Sequence, residues 1–231
     1  MIQHDVFTSS NSIGPGHQEN QDSFLASTQS LLFAVADGVG GYKGGKEASS
    51  LAIERLQLSA EKIRDESSMT AMLETIDGEI RQRARLLHFK DMGTTIAVAK
   101  LLPDSTRLIT GNVGDSPLLF FRSNAPSDSV ETVYADDSYR EEDPSSMWGI
   151  TQYLGVEEVK VHAHTRMFEY STGDILLICS DGITDNLLFP DSQRERLAKL
   201  ARRSRSAKLL VEEAIRAGIK HDDMTAIIIS L

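Results

Sequence analysis

Residues 31–38 read LLFAVADG, and residues 175–182 read ILLICSDG. In each, an unbroken apolar run of strand length ends in Asp-Gly. Such a run is what a strand covered on both faces requires, so both segments predict buried strands. An aspartate just beyond a buried strand has its backbone fixed by the sheet and its oxygens open to a cleft. Three further aspartates hold comparable places. Asp22 precedes a short strand-like run at 24–26, and Asp222 precedes TAIIISL at 225–231. Asp115 lies in Gly114-Asp115-Ser116, which reads as a hairpin turn between strands at 107–113 and 118–121. Carboxylates gathered at one edge repel one another unless a cation stands between them. The pattern points to a metal enzyme.

Around these runs, strand and helix periods segregate. After the glycines of 38–45, Ala48, Ala52, Leu56, Ala60 and Ile63 recur at close to four residues, the inner stripe of an amphipathic helix. A second helix is expected from about Met69, with Leu73, Ile76, Ile80, Ala84 and Leu87 facing inward. Short β-rich segments follow at 94–100, 107–113, 118–122, 160–166 and 175–179. Residues 135–149 are polar and irregular, and read as a mobile loop or short helix. Two more helices are expected, one opened by the capping box Ser192-x-x-Glu195 and one by Ser206, the latter stopped by Gly218. There is no linker, repeat or low-complexity tract. Strands, a helix pair, many strands, a helix pair and a last strand predict one α/β (α+β) domain over residues 1–231. Its expected architecture is a four-layer α/β/β/α sandwich of two mainly antiparallel sheets flanked by helix pairs.

Composition narrows the function. The chain has 231 residues and a net charge of −10, which argues against general nucleic-acid binding. No apolar run approaches the ~20 residues of a membrane helix. The start, MIQHDVFTSS, lacks the basic and apolar regions of a secretory signal. The single cysteine, Cys179, lies within ILLICS and reads as a buried strand residue. A cytoplasmic protein fits these features. Carboxylate ligands without cysteine and with few convergent histidines select magnesium or manganese over zinc. Two such ions sharing a carboxylate and a water can set that water in line with a phosphoryl group while neutralising its charge.

Six segments occur in order: Asn20-Gln21-Asp22, Ala36-Asp37-Gly38-Val39-Gly40-Gly41, Gly93-Thr94-Thr95, Asn112-Val113-Gly114-Asp115-Ser116, Ser180-Asp181-Gly182 and Asp222-Asp223-Met224-Thr225. Together they resemble the motif set of the metal-dependent serine/threonine protein phosphatases, the type 2C or PPM family, in its compact bacterial form. The resemblance implies the four-layer sandwich and hydrolysis of phosphoserine and phosphothreonine by a metal-activated water, with two or three Mn or Mg ions. It makes Asp37 the metal bridge and the Gly38 carbonyl a ligand to one ion. Asp181 and Asp222 would hold the other ion, and Asp22 would ligate directly or orient bound water. Asp115 matches a third, weaker metal position. Residues 135–155 take the place of the family's variable flap. Phosphorylated proteins and a cognate Ser/Thr kinase are the expected partners, with the chain a monomer.

Some positions depart from that pattern. His17 stands where the family usually carries the arginine that grips the substrate phosphate; it offers one donor and a pH-dependent charge instead of a permanent bidentate fork. Gln21 stands where glutamate is common, Pro117 replaces an arginine, and Asp137 replaces a histidine. A rival reading is a weak or inactive pseudophosphatase acting as a phosphoprotein-binding module; another is a phosphatase dedicated to one phosphorylated regulator, such as an anti-sigma antagonist. His162 and His164 alternate on an expected strand and could pair on a metal, although a solvated strand face is the simpler reading. His221 could donate a proton to the leaving alkoxide or support the site from behind. The basic stretch 194–208 could dock an acidic partner or membrane surface, or be a solvated helix face. The acidic flap would favour basic sequences around the phosphosite.

Overall fold

The computed structural model describes residues 5–11, 19–39, 43–103, 105–126, 129–134, 136–140, 148–157, 160–187, 194–204 and 206–231. Strand β1 (Asp5–Asn11) is followed by β2 (Ser23–Ser27), β3 (Leu32–Ala36) and the two-residue β4 (Gly38–Val39). Helices α1 (Lys43–Ser59) and α2 (Glu66–Leu87) come next. Then follow β5 (Gly93–Thr94), β6 (Ile96–Leu101), β7 (Arg107–Val113), β8 (Leu118–Phe121), β9 (Glu131–Thr132), β10 (Ser138–Arg140) and β11 (Trp148–Ile150). The chain continues through β12 (His164–Glu169), β13 (Ile175–Cys179), α3 (Asp181–Leu187), α4 (Arg194–Lys199), α5 (Ala207–Ala217) and β14 (Met224–Ser230).

Ten of these strands form two antiparallel sheets of five, ordered β2-β3-β6-β7-β12 and β1-β14-β13-β8-β9. Alternation along β3 shows how the sheets stack. Leu32, Ala34 and Ala36 pack with Leu56, Ile76 and Ile80 of α1 and α2, while Phe33 and Val35 face Phe120, Ile178 and Ile227 of the other sheet. The far face of that second sheet, with Phe121, Leu177 and Ile228, is covered by Ile183, Leu197, Leu210 and Val211 of the C-terminal helices. Three apolar layers therefore separate four structural layers, the α/β/β/α sandwich. Each fully buried Phe or Ile in the central layer contributes about 1.5–3 kcal/mol of transfer free energy.

Local signals set the helix ends. Asp65 caps α2, its side chain accepting the Ser68 amide at 2.7 Å while the Ser68 hydroxyl accepts the Asp65 amide at 2.9 Å. Ser206 accepts the Leu209 amide at the start of α5, and Gly218 ends it in the left-handed region at φ 62°.

Four local expectations are corrected. Asp181 starts a further C-terminal helix, α3, where the sequence predicts only helices opened at Ser192 and Ser206; buried Ile183 and Leu187 anchor it against the second sheet. The Gly114-Asp115-Ser116 turn is a crossing between sheets, not a hairpin, because β7 pairs with β6 and β12 whereas β8 pairs with β13 and β9. The strand expected at 160–166 begins instead at His164 and runs to Glu169, so His162 lies outside it. Within 135–149, β10 and β11 form a two-stranded arm, with Ser138 opposite Ile150. The capping box at Ser192 lies outside the described residues.

Candidate metal centre

Antiparallel pairing brings the five aspartates to one end of the sandwich. The start of β2 lies beside the end of β3, Ser23 opposite Ala36, so Asp22 and Asp37 are neighbours. In the second sheet Ile178 lies between Leu118 and Ile227, which puts the end of β13 beside the starts of β8 and β14. Asp115, Asp181 and Asp222 occupy those three ends. Asp22 is almost wholly buried, and Asp37, Asp115, Asp181 and Asp222 are partly exposed.

The Gly93-Thr94-Thr95 segment holds Asp37 by its backbone. The Thr95 amide and the Thr94 hydroxyl both donate to the Asp37 carbonyl at 2.8 Å. The Asp37 amide donates to Thr95 Oγ1 at 3.1 Å, and that hydroxyl pairs at 2.6 Å with Ser116 Oγ, beside Asp115. Ser180 ties the other group together: its hydroxyl donates to Asp22 Oδ2 at 2.9 Å and accepts the Thr225 amide at 3.0 Å. Asp223 accepts the Gln21 amide at 2.7 Å, pinning the Asp22 loop to the Asp222 loop. The Asp37 backbone is thus held at both its donor and its acceptor, and Ser180 holds the Asp22 side chain. Asp22 Oδ1 and Asp181 Oδ1 are buried without a hydrogen-bond partner.

Burial, with repulsion from neighbouring carboxylates, raises the pKa values of Asp22, Asp37, Asp115 and Asp181. Asp37 rises well above the usual carboxylate range through burial and then the charges of Asp22, Asp181, Asp222 and Asp115. Asp22 is pushed up to about 7 by burial, against the hydroxyls of Thr225 and Ser180, with Asp223 and Asp181 adding to the rise. Asp115 is pushed up to about 7, by burial and then by Asp181. Asp181 is pushed up to about 6 by burial, with Asp185 and Asp222 adding to it and Lys220 opposing it. Such groups accept a divalent cation readily, since it replaces mutual repulsion with attraction. Buried, partnerless oxygens on hard-ligand residues fit magnesium or manganese. Among the described residues, however, no three acidic, histidine or cysteine side chains already close on one point as a ligand shell. A lysine ammonium stands among them: Lys220 pairs with Asp181 and lies 3.1 Å from both Asp185 Oδ2 and Asp222 Oδ2.

A family model described as protein phosphatase 2C matches residues 15–217. The chain belongs to the protein phosphatase 2C family. It is 27% identical to the serine/threonine phosphatase stp of Listeria innocua over 233 residues, covering 92% of this chain and 89% of that protein. With the serine/threonine protein phosphatase PstP of Mycobacterium tuberculosis it shares 26% identity over 230 residues, covering 90% of this chain and 41% of that one. The serine/threonine phosphatase of S. agalactiae has the same fold, with a TM-score of 0.81 at 22% identity, covering 99% and 100% of the two chains. So does the PstP catalytic domain in complex with two manganese ions, with a TM-score of 0.77 at 24% identity, covering 98% and 97%.

In this phosphatase fold, the five aspartates read from the sequence gather at one end of the sandwich, and the structure adds Asp185 and Lys220. Asp185 follows Asp181 by four residues, one helical turn along α3, so its signal was hidden until α3 was recognised as a helix. Asp137 accepts the Gly114 amide at 2.8 Å and Gln152 Nε2 at 2.9 Å, and His164 Nε2 lies 3.3 Å from it. It thereby joins the Asp115 turn to the arm and to β12. His164 is therefore part of an arm-anchoring network, and exposed His162 is not paired with it on a strand. His17, Gly40 and Gly41 lie outside the described residues.

Proposed function

We propose that this protein phosphatase 2C domain hydrolyses phosphoserine and phosphothreonine esters in proteins, using divalent cations held by Asp22, Asp37, the Gly38 carbonyl, Asp181 and Asp222. Asp115 and Asp185 extend the set toward a further, weaker ion. The observation that carries this reading is the convergence of carboxylates from both sheets, with buried oxygens of Asp22 and Asp181 lacking partners. When bound, manganese or magnesium supplies the positive charge that acidifies a water and neutralises phosphoryl oxygens. The protein's own contribution is positional. Thr94 and Thr95 fix Asp37, Ser180 orients Asp22, and the Asp137 network sets the Asp115 turn against the arm. The arm of β10 and β11 acts as the flap that meets the protein substrate. A cytoplasmic Ser/Thr kinase would set the marks that the enzyme removes; no helix among the described residues is long and apolar enough to cross a membrane. No observation favours a binding-only pseudophosphatase.

Phosphate release from a phosphothreonine peptide tests this reading, with manganese, with chelator, and with Asp37→Asn. Manganese-dependent turnover that disappears in the variant is expected. Turnover that persists in chelator would refute it.

A further inference from the structure

The 218–223 loop is built to hold a positive charge inside the carboxylate cluster. Asn186, wholly buried on α3, accepts the Ile219 and Lys220 amides through Oδ1 at 2.7 and 2.9 Å, and donates to the Lys220 carbonyl at 2.8 Å. The same amide group donates to the Gly182 carbonyl at 2.8 Å, locking the loop to the start of α3. Gly182 lets the two segments meet: a Cβ there would lie 2.3 Å from the Asp223 carbonyl oxygen. The backbone of Lys220 is therefore fixed at both its donor and its acceptor. Its side chain is directed at three carboxylates on two segments, Asp181 and Asp185 of α3 and Asp222 of its own loop. A solvated lysine would not need a buried asparagine spent on both backbone groups.

We propose that Lys220 is a resident cation of the metal centre, and that a divalent ion entering between Asp181 and Asp222 must displace its ammonium. This rests on the carboxylates being the ion-binding set proposed above. The ammonium and the ion draw on the same oxygens and repel each other at short range. The Asp181–Asp222 side is consequently the weaker side of the centre. The Asp37 side, which Lys220 does not touch, fills first. In the absence of divalent ions, the ammonium keeps the cluster compact.

Calorimetric titration of Mn2+ into the chelator-stripped chain tests this in wild type, Lys220→Met and Lys220→Gln, with thermal melts alongside. Both variants are expected to bind the ion between Asp181 and Asp222 at least about tenfold tighter, since the competing charge is gone. Both should also melt lower than wild type in chelator and gain more from Mn2+. Unchanged affinity in both variants would overturn the role of Lys220 while leaving the metal centre standing. No divalent binding by wild type or variant would overturn both. Should neither variant fold, the wild type decides by lysine-selective 1H–15N NMR. The Lys220 ammonium resonance is expected to move on saturation with Mg2+, and an unmoved resonance would overturn the inference.

Discussion

Gly38 and Gly45 meet so closely that a Cβ on Gly38 would lie 2.5 Å from the Gly45 carbonyl carbon, and a Cβ on Gly45 would lie 2.9 Å from the Gly38 carbonyl oxygen. The contact seats the first turns of α1 against β4, next to the carbonyl proposed as a metal ligand. At Gly45 the nearest obstructing atom is Gln21 Oε1 at 2.4 Å, a side-chain atom that can turn away, but behind it the Gly38 carbonyl carbon and oxygen, each at 2.9 Å, are backbone that no rotamer change relieves. Gly45→Ala should cost about 1–3 kcal/mol in overpacking and displace the Gly38 carbonyl. Thermal melts and Mn2+-dependent phosphatase assays check both effects. A variant with wild-type melting and turnover would show that the contact yields easily.

Asp37→Asn separates function from stability. The carboxylate is held high in pKa by burial and four neighbouring aspartates, so its charge is a liability without cations. The neutral amide should raise the melting temperature in chelator and reduce manganese-dependent turnover by roughly 100-fold or more. A fall in stability under chelator would contradict the electrostatic account of the cluster.

Ser180 is a hinge between two carboxylate loops, donating to Asp22 and accepting from Thr225 while fully buried. Ser180→Ala strands the Thr225 amide and removes one of the two hydroxyls that hold the Asp22 side chain. A loss of about 1–3 kcal/mol is expected from the unsatisfied group, with Mn2+ affinity falling roughly 10–100-fold through the misplaced carboxylate. Denaturant melts and Mn2+ titration measure the two separately.

The sandwich was legible because apolar runs at 31–36 and 175–179 and the helical stripes of 48–63 and 69–87 are strong periodic signals. The aspartates were legible because each lies just before or just after a strand. Hidden features depend on long-range packing. Asp-Gly-Ile-Thr-Asp-Asn-Leu contains glycine and β-branched residues that disfavour a helix locally, yet Ile183 and Leu187 are buried against the second sheet and hold α3 in place. Lys220 in Lys-His-Asp-Asp reads as a solvated charge, and only the clamp by Asn186, 34 residues earlier, directs it inward. Asp137 likewise gains its role only when β10 folds back onto Gly114.

Asp22 gives the site a pH signature. Its pKa is pushed up to about 7, chiefly by burial, whereas an unfolded aspartate titrates near 4. A carboxyl raised in the folded state holds its proton more tightly there than in the unfolded chain. The stability it contributes is therefore full below about pH 4 and is lost as pH rises through about 7. Asp22→Asn keeps the neutral form at every pH. In chelator the variant and wild type should melt similarly near pH 4, and the variant should melt progressively higher up to pH 8. Added Mn2+ should reverse that order at pH 8, because the ionised wild-type carboxylate then has a cation to bind. Paired melting curves across this range, with and without Mn2+, are the measurement. A gap between the two proteins that does not change with pH would remove Asp22 from the titrating cluster.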